Sequence, residues 1–385
     1  MPDATPSLLK NTLLRPPLLK PDARHRWQDL SLAALGSLLK EQAAGYANTR
    51  HVMPFPREVF QVEEDVQAGD VFQRALILDT FLDFHSGPDD PLGDIIAPEA
   101  DYLMGIRRKS GLGGWAYFPG LRELPPDADD LAQVMQVLLR AGYRQQARPL
   151  IETPLEVLLA DQANEDGGWE SWIVPARDQN EEQKLQSLWI HKAWGTGSDA
   201  EVIANLVFAL TIYDPERFSA AIDRGVGFLT NGHEGGCPWK STWYYGDYYG
   251  TYVALRAICA ANGPRDVIEN SIGFLLTSRL PDGGWAVSGQ PTSALQTALA
   301  LLALSTASHH LGCRLDEKWL EASLDYLERN RDADDNWPSS PFIRMPMGRP
   351  AGYVHTILTY ESAPITNNYV AKACHHISLH HFHQD

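Results

Sequence analysis

Three aspartates fall within four positions at Asp127-Ala128-Asp129-Asp130, and a run that continues to Arg140 in good helix formers follows them. Carboxylates this close cannot all ionise cheaply in a dry site, because mutual repulsion and desolvation raise at least one pKa and keep a proton there. A neutral carboxylic acid facing an apolar cavity can protonate an alkene, a very weak base, if its neighbours stabilise the carboxylate left behind. The same residues also suit a plainer role, since acidic groups at a helix start accept from free backbone N–H groups and complement the helix dipole. Spacing alone leaves both readings open. The tetrapeptide recurs at Asp332-Ala333-Asp334-Asp335, where no matching helix follows, and there a structural turn is expected.

The elements that must position such an acid are written as a repeat. Gly113-Gly114-Trp115 returns as Asp166-Gly167-Gly168-Trp169, more loosely as Gly235-Gly236-Cys237-Pro238-Trp239, again as Asp282-Gly283-Gly284-Trp285, and in degenerate form as Asp334-Asp335-Asn336-Trp337. A period of about 50 residues suits one helical hairpin per repeat. Amphipathic stretches such as Ile268–Leu276 precede the turns, and Ala/Leu-rich runs such as Ser293–Leu304 follow them. Both favour helix over strand. Asp-Gly-Gly supplies the turn, and the Trp can pack back on the helix ends. With a further hairpin around Asp70 to Asp83, about six hairpins result, enough to close an (α/α)6 barrel. The expected fold is therefore all-α, an α/α toroid of helical hairpins joined by Gly-Gly-Trp turns. Its expected organisation is an extended arm at 1–26, one barrel domain at 27–369 and a tail at 370–385.

Bulk properties narrow the function. The 385 residues are 44% hydrophobic, ample for a large core. A formal net charge of −17 argues against nucleic acid and anionic lipid headgroups as partners. The four cysteines stand singly, without metal-ligand spacing, which suits a reducing, cytoplasmic setting. No apolar run reaches bilayer-spanning length, and the N-terminus reads as a mature one. The leucine-rich arm is a candidate lid or peripheral membrane contact. The histidine-rich stretch Cys374–His383 lacks a carboxylate in register, so no metal is assigned to it. Arg107-Arg108-Lys109 reads as a solvated turn.

The segment Gly113–Leu139 resembles the acid-motif segment of squalene–hopene cyclases and class II diterpene cyclases, in which Gly-Gly-Trp-Ala-aromatic precedes Asp-X-Asp-Asp-Thr-Ala. The repeats resemble that family's Gln-Trp repeats, and the similarity runs from about Asp70 to near Tyr360. The resemblance implies an isomerase, an acid-initiated class II terpene cyclase, with Asp129 as proton donor and Asp127 and Asp130 holding its geometry. Leu131 stands where the family has Thr. The family sets a histidine against the donor from a later helix; the matching run Glu201-Val202-Ile203-Ala204-Asn205 puts Asn205 in its place. Matching to the family's cavity aromatics yields Phe72, Tyr117, Trp172, Trp243, Tyr249 and Tyr353 as substrate-binding residues, whose ring faces stabilise cations.

The chain has room only for the domain bearing the acid, so it resembles the single-domain cyclases of meroterpenoid pathways. That likeness implies a C15–C20 polyprenyl chain on an aromatic or other head group, with no cofactor and no protein partner. The alternative in the same class is a drimenyl- or copalyl-type diphosphate cyclase using Mg²⁺, for which Glu63-Glu64-Asp65 is the candidate cluster. A non-enzymatic toroid binding a lipid or a partner is the alternative outside it. The β subunits of protein prenyltransferases share Gly-rich repeats but hold zinc with an Asp-X-Cys pair, which this chain lacks.

Overall fold

The computed structural model describes residues 21–60, 65–109, 111–231, 238–348 and 356–381. In chain order the elements begin with α1 (Pro21–Ala43), β1 (His51–Pro54), α2 (Arg57–Phe60), β2 (Val66–Gly69), α3 (Val71–Phe84) and α4 (Gly93–Ile106). Next come α5 (Ala128–Arg140), α6 (Arg144–Asp161), α7 (Glu181–Trp189) with a π turn at Ile190–Trp194, α8 (Ala200–Tyr213) and α9 (Ser219–Thr230). The chain continues through α10 (Tyr248–Ala260), α11 (Arg265–Thr277), α12 (Ala294–His310) and α13 (Glu317–Arg329). It closes with β3 (Pro341–Met347), β4 (Thr356–Glu361) and α14 (Ala363–His380).

Two compact units result. Among the described residues, one takes the chain up to Asn48, Leu229–Ile343 and the segment from Glu361; the other takes Thr49–Phe228 and Arg344–Tyr360. In the first, α12 packs between α10 and α14, and α1 lies along α14. In the second, α5 packs between α3 and α8, with α4 against α3 and α6 against α5. Sequence separates the central helices from the flanking ones. α12 is uncharged, rich in Ala and Leu, and buried along nearly its whole length, whereas α13 buries Leu320, Ser323, Leu324 and Leu327 and turns its charges outward.

The repeat tryptophans do one job five times. The indole N–H of Trp115 donates to the Leu103 carbonyl at 2.7 Å, and Trp169 to Leu159 at 3.4 Å. Trp239 reaches Leu229 at 2.9 Å, Trp285 reaches Leu275 at 2.9 Å, and Trp337 reaches Leu327 at 2.8 Å. Each buried ring thus satisfies a carbonyl in the last turn of the preceding helix, where no intrahelical partner follows. The turn needs glycine for space as well as for angle: at Gly283 (φ +100°), a Cβ would sit 2.1 Å from the Ala322 carbonyl oxygen.

Some expectations need correction. α1 begins at Pro21, so the last residues assigned to the extended arm are helical, as is most of the tail from 370, which α14 takes through His380. Val370, Ala371, Ala373, Cys374 and Ile377 are buried, and that apolar spacing makes this segment a core helix. Two small strand pairs, β3–β4 and the antiparallel β1–β2, interrupt the helices without a clear signal in sequence. The loose repeat copy at Gly235-Gly236-Cys237 lies outside the described residues, as do Tyr353, Glu63 and Glu64.

Candidate active site

The backbone clamps the start of α5 from two sides. Asp127 N–H donates to the Trp115 carbonyl at 2.9 Å, Ala128 N–H to Ser171 at 2.8 Å, and Ile173 N–H to Pro126 at 2.8 Å. The Gly-Gly-Trp turn and the following loop therefore hold Pro126–Ala128 extended before the helix begins. Asp127 then accepts the Asp130 N–H at 2.7 Å. The first aspartate of the motif is a helix cap, so the plain reading holds for Asp127. Ser171 also ties in the next central helix, because its hydroxyl donates to the Asp199 carboxylate, at the α8 N-cap, over 2.8 Å.

The three carboxyls meet different surroundings. Asp130 is 1% exposed, and its carboxyl shares a side-chain hydrogen bond with that of Asp127, a contact that needs one of the two to carry a proton. Burial pushes Asp127 up to about 6. Burial, reinforced by the Asp127 charge, pushes Asp130 well above the usual carboxylate range. A proton is thus held behind the motif. Asp129 alone of the three keeps an accessible edge. Its Oδ1 accepts from Asn205 Nδ2 at 2.7 Å, across the α5–α8 packing. Asn205 is fully buried, and its carbonyl takes the amide of Gln136 at 3.1 Å, so the backbone of α8 is fixed at the point of contact.

Around this acid the unit gathers several of the expected aromatics. Tyr117 lies beside the motif: its backbone N–H bonds to Asp127, and burial pushes its phenol well above the ordinary range. Trp172 forms a backbone bridge with Asp127, donates its indole N–H to Gly195 at 2.9 Å, and lies 6.4 Å from the Trp194 ring. Phe72 is buried on α3. In the other unit, Tyr249 sits in a ring cluster with Tyr244 at 3.9 Å, Phe342 at 5.3 Å and Tyr369 at 6.2 Å, and Trp243 is half-buried.

Several polar groups in the acid's unit went unforeseen. Gln133, one helical turn beyond Asp129, is buried with both amide atoms unpaired; its four-residue spacing from Asp129 was the available signal. Gln73 and His51 meet the Tyr117 hydroxyl, and nothing in the spacing announces them. Arg108 is no solvated turn: its guanidinium donates to the Leu121 and Leu124 carbonyls, binding the loop before α5 to itself. Among the described residues, no three His, Cys, Asp or Glu gather to hold a metal ion, and no helix is long and apolar enough to cross a membrane.

Comparison with known proteins gives this geometry its family. Residues 105–363 match the squalene–hopene cyclase C-terminal domain. The chain is 27% identical to a drimenyl diphosphate synthase of Streptantibioticus cattleyicolor, covering 65% of this chain and 42% of that one. It is 25% identical to a probable squalene–hopene cyclase of Sinorhizobium fredii, covering 58% and 36%. The chain thus spans less than half the length of these curated relatives. Among solved structures it is similar to the type II terpene cyclase MstE from Scytonema, in complex with its product merosterolic acid A: TM-score 0.66, 17% identity, 93% of this chain and 99% of that one. The same cyclase is also known in complex with its substrate, geranylgeranyl dihydroxybenzoate. That likeness shows the fold, the all-α toroid of the terpene cyclases. With the match extending over most of its length, the chain belongs to the squalene–hopene cyclase C-terminal domain family.

Proposed function

We propose that this protein is an acid-initiated cyclase in which Asp129 protonates the terminal alkene, or epoxide, of a C15–C20 polyprenyl chain. The carrying observation is the 2.7 Å bond from buried Asn205 to Asp129, the one carboxyl of the motif with an accessible edge. In the first step the alkene π pair takes the Asp129 proton and a tertiary cation forms. The Asn205 N–H stabilises the carboxylate left on Asp129, and a protonated Asp130 adds no competing charge. Later alkenes attack the cation in turn, rings close, and a proton lost to a base, or capture of water, ends the sequence. Phe72, Tyr117, Trp172, Trp243 and Tyr249 are the rings proposed to shield the cation.

For the head group, the similarity to a cyclase bound to geranylgeranyl dihydroxybenzoate favours a prenylated aromatic, hence a meroterpenoid product. A free polyprenyl diphosphate with Mg²⁺ is the second reading, favoured by the similarity to a drimenyl diphosphate synthase. Of its candidate ligands, Asp65 already accepts from the Arg57 backbone and guanidinium at 3.1 and 3.0 Å. The test assays purified protein against farnesylated and geranylgeranylated aromatics, free diphosphates and squalene, with and without EDTA. A cyclic isomer that survives EDTA and vanishes in Asp129→Asn supports the first reading. Product from a diphosphate alone, and only with Mg²⁺, selects the second. Cyclisation by Asp129→Asn at the wild-type rate overturns both, and a polyprenyl ligand bound but never converted would leave a lipid-binding toroid.

A further inference from the structure

A tyrosine beside a carbocation is a risk as well as a help. Its ring face stabilises the charge, but its oxygen can end the cascade early. A free phenol oxygen takes a proton from the carbon next to the cation, and the C–H electron pair becomes an alkene. It can equally form a C–O bond and lose its own proton. Tyr117 stands next to the acid motif, where the first cation would form, and is half-buried.

The structure shows where its oxygen goes. Gln73, fully buried on α3, donates its amide to the Tyr117 hydroxyl. His51, 5% exposed on β1, has Nδ1 3.0 Å from the same oxygen. With the amide donating, the phenolic proton is left for His51 Nδ1, the arrangement in which His51 is neutral and carries its own proton on Nε2. The surroundings agree: the imidazole is packed among the rings of Tyr117, Phe118 and Tyr360 at 5.6, 5.4 and 4.9 Å, and burial pushes its pKa down to about 4.

The backbone is built to hold this contact. β1 pairs with β2 through His51 and Gly69, just ahead of α3. At Gly69 a Cβ would fall 2.1 Å from the Tyr117 carbonyl oxygen, so only glycine lets this strand pair reach the Tyr117 backbone. A short strand pair in an otherwise helical unit thus brings a histidine to one phenol.

We propose that His51 and Gln73 are positioning residues that hold the Tyr117 hydroxyl within the protein wall, so that Tyr117 offers a cationic intermediate its ring and not its oxygen. This rests on the reading of the protein as an acid-initiated cyclase. The chain Gln73→Tyr117→His51 uses the phenol's proton and one of its lone pairs, and directs the oxygen at two buried groups.

The test compares product ratios for a polyprenyl substrate that the wild type cyclises. In His51→Leu the hydroxyl loses its acceptor, and the share of early deprotonated, hydroxylated or protein-alkylated product should rise about fivefold, the factor that one hydrogen bond's net worth makes in a partition ratio. The double variant His51→Leu/Tyr117→Phe should bring that share back towards wild type, because the offending oxygen is gone. A purely structural role for His51 would not be rescued by deleting one oxygen from a neighbour. An unchanged share in His51→Leu, or a raised share that persists in the double variant, overturns the proposal. ¹⁵N NMR of histidine-labelled wild type reads the same chain without turnover or mutation. An unprotonated Nδ1 and protonated Nε2 on His51 at neutral pH is expected, and a protonated Nδ1 overturns the proposal. Loss of the underlying cyclase reading would show separately, as wild type without cyclic product or as Asp129→Asn with it.

Discussion

The tetrapeptide Asp-Ala-Asp-Asp occurs twice in this chain, at 127–130 and 332–335, and the two copies do different things. Their first aspartates behave alike. Asp127 accepts the Asp130 N–H, and Asp332 accepts the Asp334 and Asn336 N–H groups at 2.9 Å each. Beyond that residue they part. At Asp130 the chain continues into a buried helix, whereas Asp335 takes a left-handed conformation (φ +63°) that ends any helix before it starts. The second copy lies exposed, and the Asp334 carbonyl takes a side-chain amide from Asn336. The first is sealed by two loops and faces Asn205. What separates the copies is therefore burial and the group opposite the middle carboxyl, not the four letters.

The largest expected effect breaks the equivalence of the two middle residues. Asp129→Asn should lower the cyclisation rate about a thousandfold or more, the range expected when a positioned acid is removed. Asp334→Asn, the same change in the exposed copy, should leave the rate at wild type, and parallel product assays decide. An equal loss in both variants would mean that the motif acts through folding. Next comes Asn205→Leu, which keeps the volume but removes the donor to Asp129. A charge-assisted hydrogen bond is worth roughly 1.5–3 kcal/mol, so kcat should fall about 10- to 100-fold while thermal unfolding stays cooperative. No change in kcat would detach Asn205 from the acid.

How far this was legible in sequence follows the range of the interactions. The tryptophan repeat was visible because each indole serves a carbonyl about ten residues upstream, a local relation that recurs with the period. Asn205 was found only through a family resemblance, since no local rule links it to Asp129. Trp172 and Tyr117 were placed by the same route, and the structure sets both beside Asp127. His51 and Gln73 were missed because their partner is a hydroxyl far along the chain, reached through a strand pair of four residues a side. Tyr249 was named singly, but its companions Tyr244, Phe342 and Tyr369 come from three different elements or loops and share no spacing. The last helix was misjudged for another reason: 370–385 read as a tail at the chain's end, although its buried face carries Val370, Ala373, Cys374 and Ile377.

A third, smaller effect separates the copies by pH. Burial raises Asp127 from an ordinary 3.8 to about 6 in the folded chain. A raised carboxyl binds its proton more tightly in the folded state. Its contribution is therefore fully present below the unfolded pKa and lost as pH rises towards about 6. His51 works the other way: lowered from 6.5 to about 4, it adds stability as pH rises through that same window. Buried His381 does so as well. The net curve mixes these, so the useful quantity is a difference. Asp127→Asn keeps a good cap and removes the titration. Its stability relative to wild type should climb by about 2 kcal/mol between pH 4 and pH 7, read from urea midpoints. Asp332→Asn should give a flat difference over the same range, and a flat line for both would show that Asp127 is not held in its raised state.

The smallest effect returns to what the copies share. Asp332→Ala removes the acceptor of two backbone N–H groups in an exposed turn, where water can replace much of what is lost. A cost of about 1 kcal/mol is expected, in line with losing a polar cap, with no change in cyclisation. Asp127→Ala removes the equivalent acceptor where water has no access, leaving the Asp130 N–H unsatisfied beneath two loops. That loss should exceed the first even at pH 4, where both Asp127 and Asp130 hold their protons and charge plays little part. Comparing the two alanine variants at acid pH therefore isolates burial from electrostatics. Equal costs would mean that the loops around α5 let water in, and a wet acid motif could not keep its proton for an alkene.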